Sequence, residues 1–494
     1  MRSPFARAGT SPNIREPLGC WFGAAPRTPR TGRLGALGIY RPRDEMPESL
    51  AFGWLKKLGP NPKSPPASGN DPDSQHLSLN TPTIEACSDV PTLVEGVADD
   101  FAAMKAAAGA DGAVNNADVE ESKPEGQSDI LRVHRLDLTS RLDRVKTLLY
   151  EERSASTQAA STTGTINLNW SPTMAVSTFK AFTADDLIRS LLQNLSILPF
   201  EARKSISAIF NYLLVCGLEG LDARQYASVS TAFASYVHSN ATLIIGHLVK
   251  AHYCKSTSKG GDGCVDITLL CGSMLRSSLR HANIYTWITN DENCERLVYP
   301  FLDGYVHNPN FDVCSDALET VRVLLTGSAT TMTTPETAET EEYRNRMDAI
   351  ASDFLNRKYD DIIGERINKK CLSTKASYIT RRMSLQLLST ILLKRTNYNV
   401  MMLYITSADN LVTILCLLRD PSPHISMDSF QVFKIFVANP NKPPEVVKIL
   451  HDNKTKLVAY LDGLHKEREK SDEQFRDEKG LIVSTLEALQ IEGT

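Results

Sequence analysis

The side chains best suited to metal chemistry are His247, His252, Cys254 and Cys264, two imidazoles and two thiols, which is a donor set for tetrahedral zinc. Their spacing matches none of the common finger patterns, and histidines five residues apart do not share a helix face. They read as helix-surface histidines and ordinary thiols. Gly260-Gly261-Asp262-Gly263 imitates a phosphate-cradling loop but lacks the Lys-Ser or Lys-Thr that would complete it. The acids between Asp111 and Glu121 lack the spacing of a calcium-binding loop. No zinc-protease, nucleophile-elbow or dinucleotide motif occurs. The chain is therefore expected to be no enzyme, with no catalytic residue, metal or cofactor, and its function must lie in a surface.

The elements that would build such a surface are helices. From Ala184 onward apolar residues recur at helical spacing almost without interruption, and Ile130 to Arg153 forms an amphipathic stretch with Leu136, Leu138, Leu142, Val145 and Leu148 near one stripe. A weaker pattern runs from Val90 to Ala108. Pro199 marks the start of another helix, and Asp185 and Asp186 a further one. Laying segments over one another shows a repeat. Residues 422–437 align with 310–325, pairing Ile425 with Val313, Asp428 with Asp316, Phe430 with Leu318 and Lys434 with Arg322, and 379–393 fits the same frame. The anchors Met274, Leu318, Leu385 and Phe430 are then about 44, 67 and 45 residues apart. Removing roughly 24 for the polar run after Gly327 restores a spacing of about 43, within that of armadillo and HEAT units. The expected fold is all-α, an armadillo/HEAT-like α-solenoid spanning 90–490, preceded by a disordered extension over 1–89. Ser/Thr/Gly-rich insertions are expected as loops near 154–178, 217–232, 254–264 and 327–350.

Composition narrows the partners. With 54 basic and 58 acidic residues the net charge is -4, which gives no global attraction to nucleic acid or an anionic membrane. No stretch is apolar enough for long enough to span a bilayer. Ten scattered cysteines without a C-x-x-C pair suggest packed, reduced thiols and a cytoplasmic setting. Residues 1–43 hold eight Arg, no Lys and the single acid Glu16, the composition of a transit peptide or of a disordered tail, and Met46 offers an alternative start. Residues 59–82, rich in Pro, Asn, Ser and Asp, read as linker.

Within 378–442, Arg381 and Arg382 are expected to precede a helix over 383–394, with Lys394 and Arg395 closing it. Such cations either compensate helix ends or form a recognition strip for an acidic partner segment. Of the aromatics Phe311, Tyr378, Tyr398, Tyr404, Phe430, Phe433 and Phe436, most are expected in the core and one or two in a groove.

Several segments resemble the mouse-protein-twenty-five family, also called the calcium-binding protein 39 family, which includes the fungal HymA-type proteins. The resemblance rests on FEARKSISAIFNYLL (200–214), CGSMLRSSLRH (271–281), NFDVCSDALETVRVLLT (310–326), YITRRMSLQLLSTILLKRTNYNVMMLYI (378–405), LLRDPSPHISMDSFQVFKIFVANPNK (417–442) and residues 453–479. It implies a right-handed superhelix without enzymatic activity. It also implies a scaffold that binds and activates germinal-centre-type kinases or pseudokinases in polarity and morphogenesis signalling. By matched positions, Phe311, Tyr378 and Arg382 belong to a kinase-contacting group. Arg395 and Leu415 belong to a pocket for a tail ending in Trp-Glu-Phe or a similar sequence. Leu415 stands where Met is usual and Val412 where Lys is, so a different tail is expected to fit. A general armadillo-type adaptor with a non-kinase partner is the alternative.

Overall fold

The structure is a computed structural model that describes residues 81–112, 125–163, 171–218, 223–251, 262–327 and 338–490. Among these residues the regular elements are all helices and no strand occurs. The chain divides into two compact units, one over 66–442 and one whose described residues are 443–490. The N-terminal tail, most of the linker, His252, Cys254, Gly260, Gly261 and the acidic run after Gly112 lie outside the described residues.

In the first unit six helices stand in a row, each packed on the next: α1 (Glu125–Thr163), α2 (Phe200–Val215), α3 (Asp262–Ser278), α4 (Phe311–Thr326), α5 (Tyr378–Leu393) and α6 (Pro423–Ala438). The anchors Met274, Leu318, Leu385 and Phe430 are all buried, one per successive helix, and burying each such side chain contributes about 1.5–3 kcal/mol. Further helices back the row: Ala223–Ser239 lies against α2, Ala338–Arg357 against α4 and Ala408–Leu418 against α6. One such unit cannot bury its own stripe, and stacking supplies the missing partner surface.

Apolar burial alone would let neighbouring helices slide, and polar rungs set their register. Asn211 Nδ2 donates to Ser273 Oγ at 3.0 Å between α2 and α3. Arg276 joins α3 to α4, donating to Asp316 Oδ1 at 2.6 Å and to Thr320 Oγ1 at 2.8 Å. Gln386 Nε2 donates to Asp428 Oδ2 at 3.1 Å between α5 and α6. The equivalence of Asp316 and Asp428 drawn from the repeat thus holds in space, since each carboxylate receives a donor from the preceding helix. Gly272 makes the first of these two possible. A Cβ at 272 would fall well inside contact distance of the Asp316 carboxylate, so only glycine lets α3 and that side chain approach.

Several loop expectations are corrected. Helix α1 runs on to Thr163 and another helix begins at Thr173, so much of 154–178 is helical, with Ser156 buried and bonded to Gln225. The helix Ala223–Ser239 occupies most of 217–232 and buries Tyr226 and Val229. Ala338–Arg357 is a helix that buries Met347, Ala351, Phe354 and Leu355, so the polar run after Gly327 is only in part an insertion. Leu136 is exposed, off the stripe it was placed on. A short helix, Thr81–Ala86, precedes the expected start at 90. Helix α5 begins at Tyr378, not 383, because Ser377 caps it by accepting from Thr380 N.

A π-helix, Asp360–Cys371, precedes α5. Its Asn368 lies in a buried amide network, donating to Asn410 Oδ1 at 2.7 Å and accepting from Tyr404 OH at 3.2 Å. Asn410 Nδ2 donates in turn to the Tyr404 carbonyl at 3.0 Å. Burial raises the Tyr404 phenol, so it stays a donor at any physiological pH. Cys216, Cys271, Cys294, Cys314 and Cys371 are buried and form no disulfide, while Cys416 is exposed. Burial, with Asp316 adding to it, pushes the Cys271 thiol up to about 12, which makes it inert packing material.

The second unit contains Pro444–Asp452, Lys454–Gly463, Lys466–Ser471 and Glu473–Ala488. The buried Lys479 ammonium donates to the carbonyls of Asp462 and Leu464 and pairs with Glu469 at 2.7 Å, satisfying the end of the second of these helices.

Candidate partner-binding surface

The starts of α4, α5 and α6 are held next to one another by side chains that the sequence places at caps. Asn310 accepts from Val313 N at 3.1 Å and fixes the first turn of α4. Ser377 does the same for α5, and Thr380 Oγ1 donates to the Val306 carbonyl at 2.7 Å, tying the start of α5 to the turn that leads into α4. Arg381 reaches from the first turn of α5 to Asp420, 2.5 Å away, just ahead of α6. Phe311 and Tyr378 are the first residues of adjacent helices, and their rings face solvent at 55% and 38% exposure. Two exposed rings on neighbouring helix starts remain available to a partner.

Arg382 lies one turn further along α5. Its Nε is 3.6 Å from Asp428 Oδ2, too long for a hydrogen bond, and finds no hydrogen-bond acceptor among the described residues. Burial raises the Asp428 carboxyl, opposed by Arg382, by the Gln386 hydrogen bond and by His424. The arrangement is a half-buried guanidinium with spare donors beside two exposed rings, suited to gripping an acidic or carbonyl-rich segment flanked by apolar side chains.

Arg395 follows the other end of α5, a 16-residue helix about 24 Å long at 1.5 Å per residue. It is exposed and has no ion-pair partner among the described residues, beside exposed Leu393 and Tyr398. The cation that closes α5 is Lys394, which donates to the Thr326 carbonyl at 2.8 Å and pairs with Asp348. Leu415 is only 7% exposed and packs in the interior of Ala408–Leu418, between half-buried Val412 and exposed Cys416. The structure therefore places Phe311, Tyr378 and Arg382 at the starts of the adjacent helices α4 and α5 and Arg395 just past the opposite end of α5. Of the seven aromatics singled out, Phe311, Tyr378 and Tyr398 are exposed and the other four are buried, as expected for most of them. The carboxylates that organise the first site, Asp420 and Asp428, escaped the sequence reading, although the repeat alignment of Asp428 with Asp316 pointed to one of them.

Among the described residues no three His, Cys, Asp or Glu side chains cluster as metal ligands, and no single helix is long and apolar enough to cross a membrane. His247 is half-buried, and burial lowers its imidazole, with Lys250 adding to the effect.

A family model described as Mo25-like matches residues 114–490. The chain belongs to the Mo25-like family. Calcium-binding protein 39-like of Mus musculus is 31% identical over 320 residues, covering 65% of this chain and 81% of that protein. The Mo25-like protein of Schizosaccharomyces pombe is 35% identical over 224 residues, 45% of this chain and 60% of the relative. The conidiophore development protein hymA of Emericella nidulans is 29% identical over 344 residues, 66% and 80% of the two chains. The match covers all six helices of the row, so this Mo25-like chain is a helical-repeat solenoid with an N-terminal extension.

Proposed function

We propose that this Mo25-like chain is a non-enzymatic cytoplasmic scaffold that binds and allosterically activates a germinal-centre-type (sterile-twenty-like) protein kinase or pseudokinase in polarity and morphogenesis signalling. The observation that carries the reading is the set Phe311, Tyr378 and Arg382, exposed or part-exposed on adjacent helix starts and buttressed by Asp420 and Asp428. A rigid surface that fits the active arrangement of a kinase better than the inactive one shifts its population without chemistry of its own. The name of the Emericella relative, which refers to conidiophore development, is in keeping with a role in morphogenesis.

Arg395, exposed beside Leu393 and Tyr398, supplies a second docking point. A guanidinium among apolar side chains suits a tail that ends in aromatics and a carboxylate, such as Trp-Glu-Phe. With Leu415 packed inside, that tail reads the rim residues Val412 and Cys416 more than Leu415 itself.

Affinity purification of the tagged chain tests the reading, and a preparation without any kinase or pseudokinase counts against it. Arg382→Ala with Arg395→Ala is expected to weaken kinase binding by about tenfold or more while leaving helicity unchanged. Unaltered affinity in that double variant would sink the site assignment, and recovery of a non-kinase partner would favour a general armadillo-type adaptor.

A further inference from the structure

The sequence contains eight Ser-Pro or Thr-Pro dipeptides, at 3, 11, 28, 64, 81, 171, 334 and 422. For two of them, Ser171-Pro172 and Ser422-Pro423, both side chains are described, and the structure separates the pair. Pro172 is buried, and the Glu152 carboxylate sits at the start of the helix that follows it, accepting from Met174 N at 2.8 Å. A phosphate on Ser171 would meet that carboxylate, and no enzyme could read the buried ring. Pro421, Pro423 and His424 are all exposed around Ser422, whose backbone is extended at φ -76°, ψ 120°. An extended residue followed by an exposed proline ring is the form in which a proline-directed kinase reads its acceptor. The Ser422 hydroxyl accepts a long 3.5 Å bond from Ile425 N and donates to no group among the described residues.

The charges about Ser422 are set by one carboxylate. Asp420 Oδ1 accepts from Ser422 N at 2.9 Å while its Oδ2 pairs with Arg381 at 2.5 Å, so the guanidinium lies one carboxylate's width from the serine. Arg381 also keeps a buried Nε without a hydrogen-bond acceptor among the described residues. His424 and Arg419 flank the site on its own segment, and Asp420 is the acid that faces it. We propose that Ser422 is a phosphorylation site for a proline-directed serine/threonine kinase, and that Arg381 holds the resulting phosphate in competition with Asp420. In the transfer the Ser422 Oγ forms a bond to the γ-phosphorus of ATP, the bond to the ADP oxygen breaks, and the hydroxyl proton passes to the base of the modifying kinase. A phosphoserine dianion so placed can form charge-assisted bonds to the guanidinium. This inference does not depend on the partner reading above, because its test uses the chain alone.

The experiment treats the full chain with ATP and a kinase of the cyclin-dependent class whose activity is verified on a control peptide, and maps phosphate by mass spectrometry. Phosphate at Ser422 is expected, with incorporation there falling about tenfold in Pro423→Ala. An unmodified Ser422, or equal incorporation in Pro423→Ala, overturns the site. The phosphorylated chain and its Arg381→Gln variant are then titrated by phosphorus NMR. The phosphoserine is expected to titrate below the usual second pKa of about 6 and to return to it in the variant. Equal midpoints overturn the role given to Arg381.

Discussion

Asp428 sits between α5 and α6 with a guanidinium on one side and an amide on the other, yet burial still holds its carboxyl above the ordinary value. The native state therefore keeps a proton on Asp428 at pH values where the unfolded chain, near 3.9, has released it. In that window the native state binds more protons, so stability falls as pH rises from the unfolded value through the raised one. Asp428→Asn is expected to flatten this part of the stability profile, measured by urea denaturation at stepped pH, and an unchanged slope would count against the assignment. Gly272 and Gly246 make a second comparison at this scale. A methyl group at 272 collides with Asp316, whereas one at 246 meets nothing within 4 Å. Gly272→Ala is expected to cost about 1–3 kcal/mol, and Gly246→Ala, inside the helix Ala241–Ala251, to add about 0.5–1 kcal/mol. Both are read from urea midpoints. Phe311→Ala removes an exposed ring, so stability is expected to change by no more than about 0.5 kcal/mol while the affinity for a kinase partner drops.

At the scale of elements, the caps decide where the binding surface begins. Asn310→Ala leaves Val313 N without its acceptor and is expected to cost about 1 kcal/mol, measured by chemical denaturation with loss of affinity following from a frayed start to α4. The elements also show where the sequence was legible. Met274, Leu318, Leu385 and Phe430 were readable as anchors because each is a large apolar residue at the same point of a strongly apolar helix, and all four are buried. Ala338–Arg357 was not readable as a helix, because the side it buries mixes Met347, Ala351 and Phe354 with Asp348 and Ser352, and its outer side is dense in charge. The extension of α1 past Arg153 was hidden by Ser and Thr, which weigh against a helix, and by Ala, too small to mark an apolar stripe. Tyr378 and Arg382 were singled out from residue type and joined into one group only through the family resemblance, and the start of α5 was misplaced because Ser377 resembles any loop serine until its cap bond is seen. The buried trio Asn368, Tyr404 and Asn410 left no periodic trace at all, since its members come from three different helices.

At the scale of the molecule, the row of helices in the 66–442 unit makes its contacts chiefly between neighbours, so stability there is close to a sum of local terms. Leu318→Ala is expected to cost about 2–5 kcal/mol, and hydrogen exchange should show protection lost in α3, α4 and α5 while α1 is much less affected. Uniform loss along the whole unit would contradict the nearest-neighbour picture.

The side-by-side starts of α5 and α6, clamped by Arg381 and Asp420, also shape the field around the molecule. Each helix start carries the equivalent of about half a positive charge, and neither has an acid in its first turn to cancel it. A chain with a net charge of -4 thus presents a fixed positive rim built from backbone, with Arg382 behind it. That rim would draw acidic partners in over roughly 8–10 Å at physiological salt. Association should accordingly slow with added salt far more than dissociation quickens, even in a variant lacking Arg382.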